Sequence, residues 1–199
     1  MREATIRLLA RFAESLGRML SRASLTGLRY AGRNIVVGRG VCIEHPEYIS
    51  IGDDVFLNDG CWLSVLTENL ERGMPSLALC PELVIGSGTY IGRFGTLACI
   101  NRVVIGCNVL ISDRVFIADS EHGFARTDLP VKDQYMYSPG PVEIGDGTWV
   151  GIGVSILPNV RIGANCVIGA GAVVTRDIPS FSVAAGVPAR VLRRTDEGR

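Results

Sequence analysis

From Val142 onward the chain repeats in sixes: VEIGDG, TWVGIG, VSILPN, VRIGAN, CVIGAG, AVVTRD. One aligned column is Ile144, Val150, Ile156, Ile162, Ile168 and Val174, every member aliphatic. Two places earlier in each unit stand Val142, Thr148, Val154, Val160, Cys166 and Ala172, all small or β-branched. The same aliphatic column recurs upstream as Ile105, Ile111, Ile117, then Ile85, Ile91, Leu97, then Ile51, Leu57, Leu63. Val37 and Ile43 read as a worn first copy. Alternation along a short strand points side chains inward, and Gly, Asn and Asp take the bend that follows. Three such units close a triangular coil of about 18 residues, and stacked coils bury a face only against their neighbours. The pattern therefore predicts an all-β parallel β-helix. It does not fix the hand, since parallel crossovers are normally right-handed.

Several segments depart from the period. Residues 64–82 and 119–141 have no register of six and read as loops extruded from corners. Loops of about 20 residues inside a compact domain are usually functional or mobile. The first loop reads equally well as a tolerated surface insertion, whereas the second carries His122. The register also slips by two between Leu97 and Ile105. Residues 1–30 differ in kind: Ile6, Leu9, Phe12, Ala13, Leu16, Met19 and Leu20 recur at helical spacing, with Arg7, Arg11, Arg18 and Arg22 on the other face. This predicts a short N-terminal amphipathic α-helix and linker. The helix is either a cap packed on the first coil or on a neighbouring subunit, or a basic helix that touches an anionic membrane surface through residues 3–22. The β-helix domain is expected over 31–194, with a tail at 195–199.

Composition narrows the picture. The chain has 199 residues, a formal net charge of zero, 7% aromatics and 24 glycines. That suits short strands and tight turns, and the charge gives no reason to expect nucleic acid. No run of 18 or more apolar residues occurs, and the start lacks a signal-peptide pattern. The six cysteines form no CxxC pair and no zinc spacing, so they are expected as reduced thiols in the cytoplasm, with no metal. Cys61 and Cys166 fall on positions that other repeats give to Val or Thr, and read as small core residues.

Two stretches carry a specific resemblance. VVIGCNVLISDRVFIADSEHG at 103–123 is similar to the active-site coil of hexapeptide-repeat acetyltransferases, whose members form left-handed parallel β-helices. The stretch 145–194 resembles the C-terminal signature of that superfamily, with Trp149-Val150-Gly151, Gly169-Ala170-Gly171, Thr175-Arg176-Asp177-Ile178-Pro179 and Gly186-Val187-Pro188-Ala189-Arg190. The resemblance covers roughly 35–194 and is greatest to sugar and polysaccharide O-acetyltransferases. It implies transfer of an acetyl group from acetyl-CoA to a carbohydrate hydroxyl, with His122 as general base, in a homotrimer whose sites lie at subunit seams. An imidazole titrates near neutral pH and can take the proton of a poorly nucleophilic hydroxyl. Asp119 and Glu121 flank His122, either to orient the imidazole or as solvated loop acids. The resemblance places Trp149, Gly151, Ile152, Ala170, Thr175, Arg176, Arg190 and Arg193 along coenzyme A, Trp149 with packing at a seam as its other reading. Asn101, in the register slip, is the candidate contact to the acceptor. His45, before Pro46, reads as a turn residue.

Alternatives remain. An N-acetyltransferase acting on a nucleotide-linked amino sugar is excluded by no feature of the sequence. A non-catalytic β-helix scaffold would have no need of His122 and the coenzyme A signature together. A γ-class carbonic anhydrase would need three zinc histidines, and the chain has two in all.

Overall fold

The structure is a computed structural model and describes residues 25–69 and 77–196. Among these residues the chain winds into a left-handed parallel β-helix of triangular section. Face 1 stacks six strands: Tyr30–Ala31, Ile49–Ile51, Glu82–Ile85, Arg102–Ile105, Val142–Ile144 and Val160–Ile162. Face 2 stacks Val36–Val37, Phe56–Leu57, Tyr90–Ile91, Leu110–Ile111, Trp149–Val150, Val167–Ile168, Ser182–Gly186 and Ala189–Arg194. Face 3 stacks Cys42–Ile43, Trp62–Val65, Thr96–Cys99, Phe116–Ala118, Ser155–Ile156 and Val173–Val174. Neighbours pair in parallel until the last two strands of face 2, which form an antiparallel hairpin.

The register places like on like. Leu57, Ile91, Ile111, Val150 and Ile168 are successive partners on face 2, and Leu63, Leu97, Ile117, Ile156 and Val174 on face 3. All ten are buried, so the aliphatic column is a ladder up the prism interior. Each such Ile or Leu contributes on the order of 1.5–3 kcal/mol by leaving water. Cys61, Cys99 and Cys166 are buried in the same core.

The corners explain the glycine that follows the aliphatic position. A Cβ on Gly92 would lie 2.5 Å from the carbonyl carbon of Ser112 in the next coil, and one on Gly145 2.5 Å from the Ala164 nitrogen. Only a residue without a side chain lets the coils approach to strand-pairing distance there. Corner amides are then capped from the coil above. The Arg93 N–H donates to Asp113 Oδ1 at 2.8 Å, and the Arg161 N–H to Asp177 Oδ1 at 2.7 Å.

Coil length is not constant. Thr148 and Cys166 stack 18 residues apart, as the period of six requires, but Arg33 and Asp53 stack 20 apart. The extra residues sit on the edge between faces 3 and 1, in the 3₁₀ turn Pro46–Tyr48 and in the corner at Ile100 and Asn101. His45 leads into that turn in the left-handed conformation, φ 49°. Both long loops leave from this same edge. The first carries the hairpin Glu68–Asn69 with Leu77–Ala78, and the second the hairpin Glu121–His122 with Met136–Tyr137. The amphipathic helix expected at 3–22 lies outside the described residues. Leu25 and Leu28, just after it, pack against the core. No helix among the described residues is long and apolar enough to cross a membrane.

Candidate active site

His122 lies on the first strand of the second loop's hairpin, directly opposite Met136. Its imidazole is exposed and makes no hydrogen bond or ion pair among the described residues. The hairpin is closed by the Gly123 N–H donating to the Tyr135 carbonyl at 2.8 Å, and by the Tyr137 hydroxyl donating to Glu121 Oε2 at 2.9 Å. Gln134, buried in the loop, sews its tip: Nε2 donates to the carbonyls of Arg126 and Leu129, at 2.8 and 3.0 Å. The loop also forms an open cavity of about 240 Å³ lined by Phe124, Arg126, Gln134, Tyr135 and Tyr137, on the hairpin face away from His122. Arg126 is paired with Asp128.

Neither acid flanking His122 makes a hydrogen bond or ion pair with it among the described residues. Asp119, expected as an orienting acid, is 0% exposed and turned into the corner. Its Oδ1 accepts the Ile100 N–H at 2.9 Å, and its Oδ2 the N–H groups of Asn101 and Arg102 at 2.9 and 2.6 Å. Three converging backbone donors outcompete an imidazole on a loop, and they close the widened corner that appears in the sequence as the register slip. Glu121 is likewise engaged by Tyr137, whose phenol it pushes above its ordinary value by accepting that proton in a hydrogen bond. Asn101 does lie on the same edge as His122, and its Nδ2 donates to Ser138 Oγ at 3.3 Å, toward the hairpin that carries His122.

The residues expected along coenzyme A gather elsewhere. Trp149 stands outward on face 2, half exposed, its Nε1 donating to Ser112 Oγ at 3.2 Å. Ile152 and Ala170 form successive corners between faces 2 and 3. Lower on this edge Asp113 caps the Arg93 amide, but Ile152 and Ala170 have no acceptor to offer, so the N–H groups of Asp113 and Ile152 have no partner among the described residues. The Ile152 carbonyl is already taken by the Gly171 N–H at 2.8 Å. Gly153 and Gly171, with φ of 68° and 67°, leave this edge bare of side chains, and nothing lies within 4 Å of where their Cβ atoms would be. Gly151 answers to packing, since a Cβ there would lie 2.7 Å from the Ala170 nitrogen. Thr175 and Arg176 are exposed at the end of face 3, and Arg190 and Arg193 on the last strand of face 2. Within one chain, then, His122 and the Ile152–Ala170 notch sit on different edges of the prism, separated by the width of face 3. Among the described residues no group of three His, Cys, Asp or Glu side chains is placed to hold a metal ion.

The sequence reading missed Asn69, Gln134, Phe124 and Tyr137. They lie in loops without periodicity, where only three-dimensional contact reveals their roles.

Residues 141–176 match the family profile described as bacterial transferase hexapeptide (six repeats). The galactoside O-acetyltransferase of Escherichia coli is 43% identical over 161 residues, covering 81% of this chain and 64% of that protein. A maltose O-acetyltransferase from Clostridium difficile superposes with a TM-score of 0.57 at 29% identity, covering 86% of this chain and 72% of the other. AntD, an N-acyltransferase from Bacillus cereus solved with dTDP and 3-hydroxybutyryl-CoA, has a TM-score of 0.67 at 22% identity over 84% of each chain, a likeness of fold. The chain spans less than two thirds of the length of the curated relatives it matches.

Proposed function

We infer that this chain, which belongs to the hexapeptide-repeat acetyltransferase superfamily, is an acetyl-CoA-dependent O-acetyltransferase that acts on a sugar hydroxyl, with His122 as general base. The observation that carries this reading is the exposed, unpartnered imidazole on an anchored hairpin. The similarity to galactoside and maltose O-acetyltransferases supports a carbohydrate acceptor.

Acetyl-CoA supplies the activated thioester carbonyl. His122 takes the proton of the acceptor hydroxyl as its oxygen attacks, and returns it to the departing thiolate. The free N–H groups of the bare corner suit the amide carbonyls of a pantetheine arm, and its glycines let the arm approach the backbone. Trp149 walls the arm, and Thr175, Arg176, Arg190 and Arg193 approach its distal end, where guanidinium groups match phosphates. Because notch and imidazole lie on different edges, we place each site at a seam between two copies in a homotrimer. The expected setting is the cytoplasm, with residues 3–22 giving at most a weak, salt-sensitive contact to an anionic membrane.

His122→Ala tests the reading. Its kcat should fall about 10²–10⁴-fold, the usual cost of removing a general base, while coenzyme A binding by calorimetry is retained. A variant that keeps more than about a tenth of the wild-type kcat removes His122 from this role. Acceptors bearing only hydroxyl or only amino groups, run in parallel, separate O- from N-acetylation.

A further inference from the structure

In the hairpin that carries His122, the His122–Met136 pair is the non-hydrogen-bonded one, so the backbone groups of Met136 face outward, as in any antiparallel pair. Its flanking positions are bonded internally, by Gly123 to Tyr135 and by Tyr137 to Glu121. At the position between them, opposite His122, the Met136 N–H and carbonyl turn away and are taken by one side chain. The Met136 N–H donates to Asn69 Oδ1 at 3.0 Å, and Asn69 Nδ2 donates to the Met136 carbonyl. Asn69 comes from the other loop, 67 residues earlier in the chain, and is only 3% exposed. A carboxamide offers a donor and an acceptor side by side, as a peptide group does, so it completes a ladder position that a missing third strand would occupy. A buried amide costs free energy unless it is paired, and here both of its functions are spent on the residue across from the imidazole.

We propose that Asn69 is a positioning residue for His122, and that the strand Glu68–Asn69 is the strap that holds the catalytic hairpin in register. The proposal rests on the general-base reading of His122. Asn69 itself touches no reacting atom. It acts by fixing the backbone of Met136, and through that pair the strand of His122. General-base transfer requires the imidazole within hydrogen-bond reach of the hydroxyl, and a misplacement of about 1 Å costs on the order of 10²-fold.

The test compares Asn69→Ala, Asn69→Asp and His122→Ala in the full chain, measuring kcat and KM for acetyl-CoA and for a soluble sugar acceptor across pH. Asn69→Ala should lower kcat about 10–100-fold with KM for acetyl-CoA within about twofold of wild type, because the coenzyme A notch lies on another edge. Asn69→Asp is isosteric. Its ionised form faces the Met136 carbonyl without a donor, whereas its protonated form regains both bonds. Burial raises the pKa of such a carboxyl, so the activity of Asn69→Asp relative to wild type at the same pH should rise as pH falls. If His122→Ala is inactive and Asn69→Ala keeps full kcat, the strap is refuted and the general base stands. If both Asn69 variants lose acetyl-CoA affinity along with kcat, or Asn69→Asp gains nothing relative to wild type in acid, the residue is part of the packing and not a positioning group. If His122→Ala stays active, the general-base reading falls, and the role of Asn69 falls with it.

Discussion

Replacing Asp119 by Asn changes one atom of a buried side chain, and the structure gives the size of the consequence. The carboxylate holds three backbone amides: Ile100 on one oxygen, Asn101 and Arg102 on the other. An asparagine offers one oxygen and an NH₂ group. If its oxygen keeps the Asn101 and Arg102 donors, the NH₂ meets the Ile100 N–H head on. If it flips, two donors are lost. In the cheaper case one hydrogen bond to a charged group disappears, costing about 1.5–3 kcal/mol, and a buried N–H is left unsatisfied, costing about 1–3 more. Asp119→Asn should therefore destabilise the chain by about 2.5–6 kcal/mol, a large part of the roughly 5–15 kcal/mol that holds a domain together. Urea denaturation followed by circular dichroism reads the global loss. Hydrogen exchange reads the local one, with the amides of Ile100, Asn101 and Arg102 the first to lose protection. Asp119→Asn unfolding at the wild-type urea midpoint while kcat drops about 100-fold would refute the reasoning, because the carboxylate would then be acting on the imidazole.

Two further outcomes follow from the geometry. If His122 and the Ile152–Ala170 notch meet only across a seam, His122→Ala and a notch-blocking Ala170→Trp should each be inactive alone, yet trimers assembled from equal amounts of both should recover about a quarter of wild-type activity, since half of the chains carry each intact edge; recovery near zero places the whole site within one chain. The second concerns the thiols: burial pushes Cys61 up to about 11, and burial together with the nearby Asp119 carboxylate pushes Cys99 up to about 12, so both stay protonated and inert near pH 8. Mass spectrometry after iodoacetamide treatment should find exposed Cys80 labelled well before Cys61, Cys99 and Cys166, and equal rates for all four would contradict the packed core.

The legible part of this molecule is the part with a period. A ladder position such as Ile111 or Val150 repeats a chemical requirement at fixed spacing, so one sequence contains many copies of the same evidence, and the fold emerges from their agreement. The capping acids Asp113 and Asp177 sit at predictable corners for the same reason. The site is built where the period stops. Asp119 adjoins the histidine in sequence, and its proximity reads as chemistry, yet its carboxylate faces a corner that closes 17–19 residues earlier in the chain. The register slip between Leu97 and Ile105 was the visible trace of that corner, and a corner two residues wider needs acceptors for the amides it exposes. Slip and acid are thus one feature seen in two places, which sequence spacing alone does not connect. Asn69 inverts the case: nothing in its surroundings marks it, and its partner lies in the other loop. What joins them is that both loops leave from the edge between faces 3 and 1, so that two aperiodic segments far apart in sequence meet above one corner. On a β-helix, insertions at equivalent corners of nearby coils are neighbours in space by construction. Loops that share an edge should therefore be read together, and a polar residue in one sought as the partner of a backbone gap in the other.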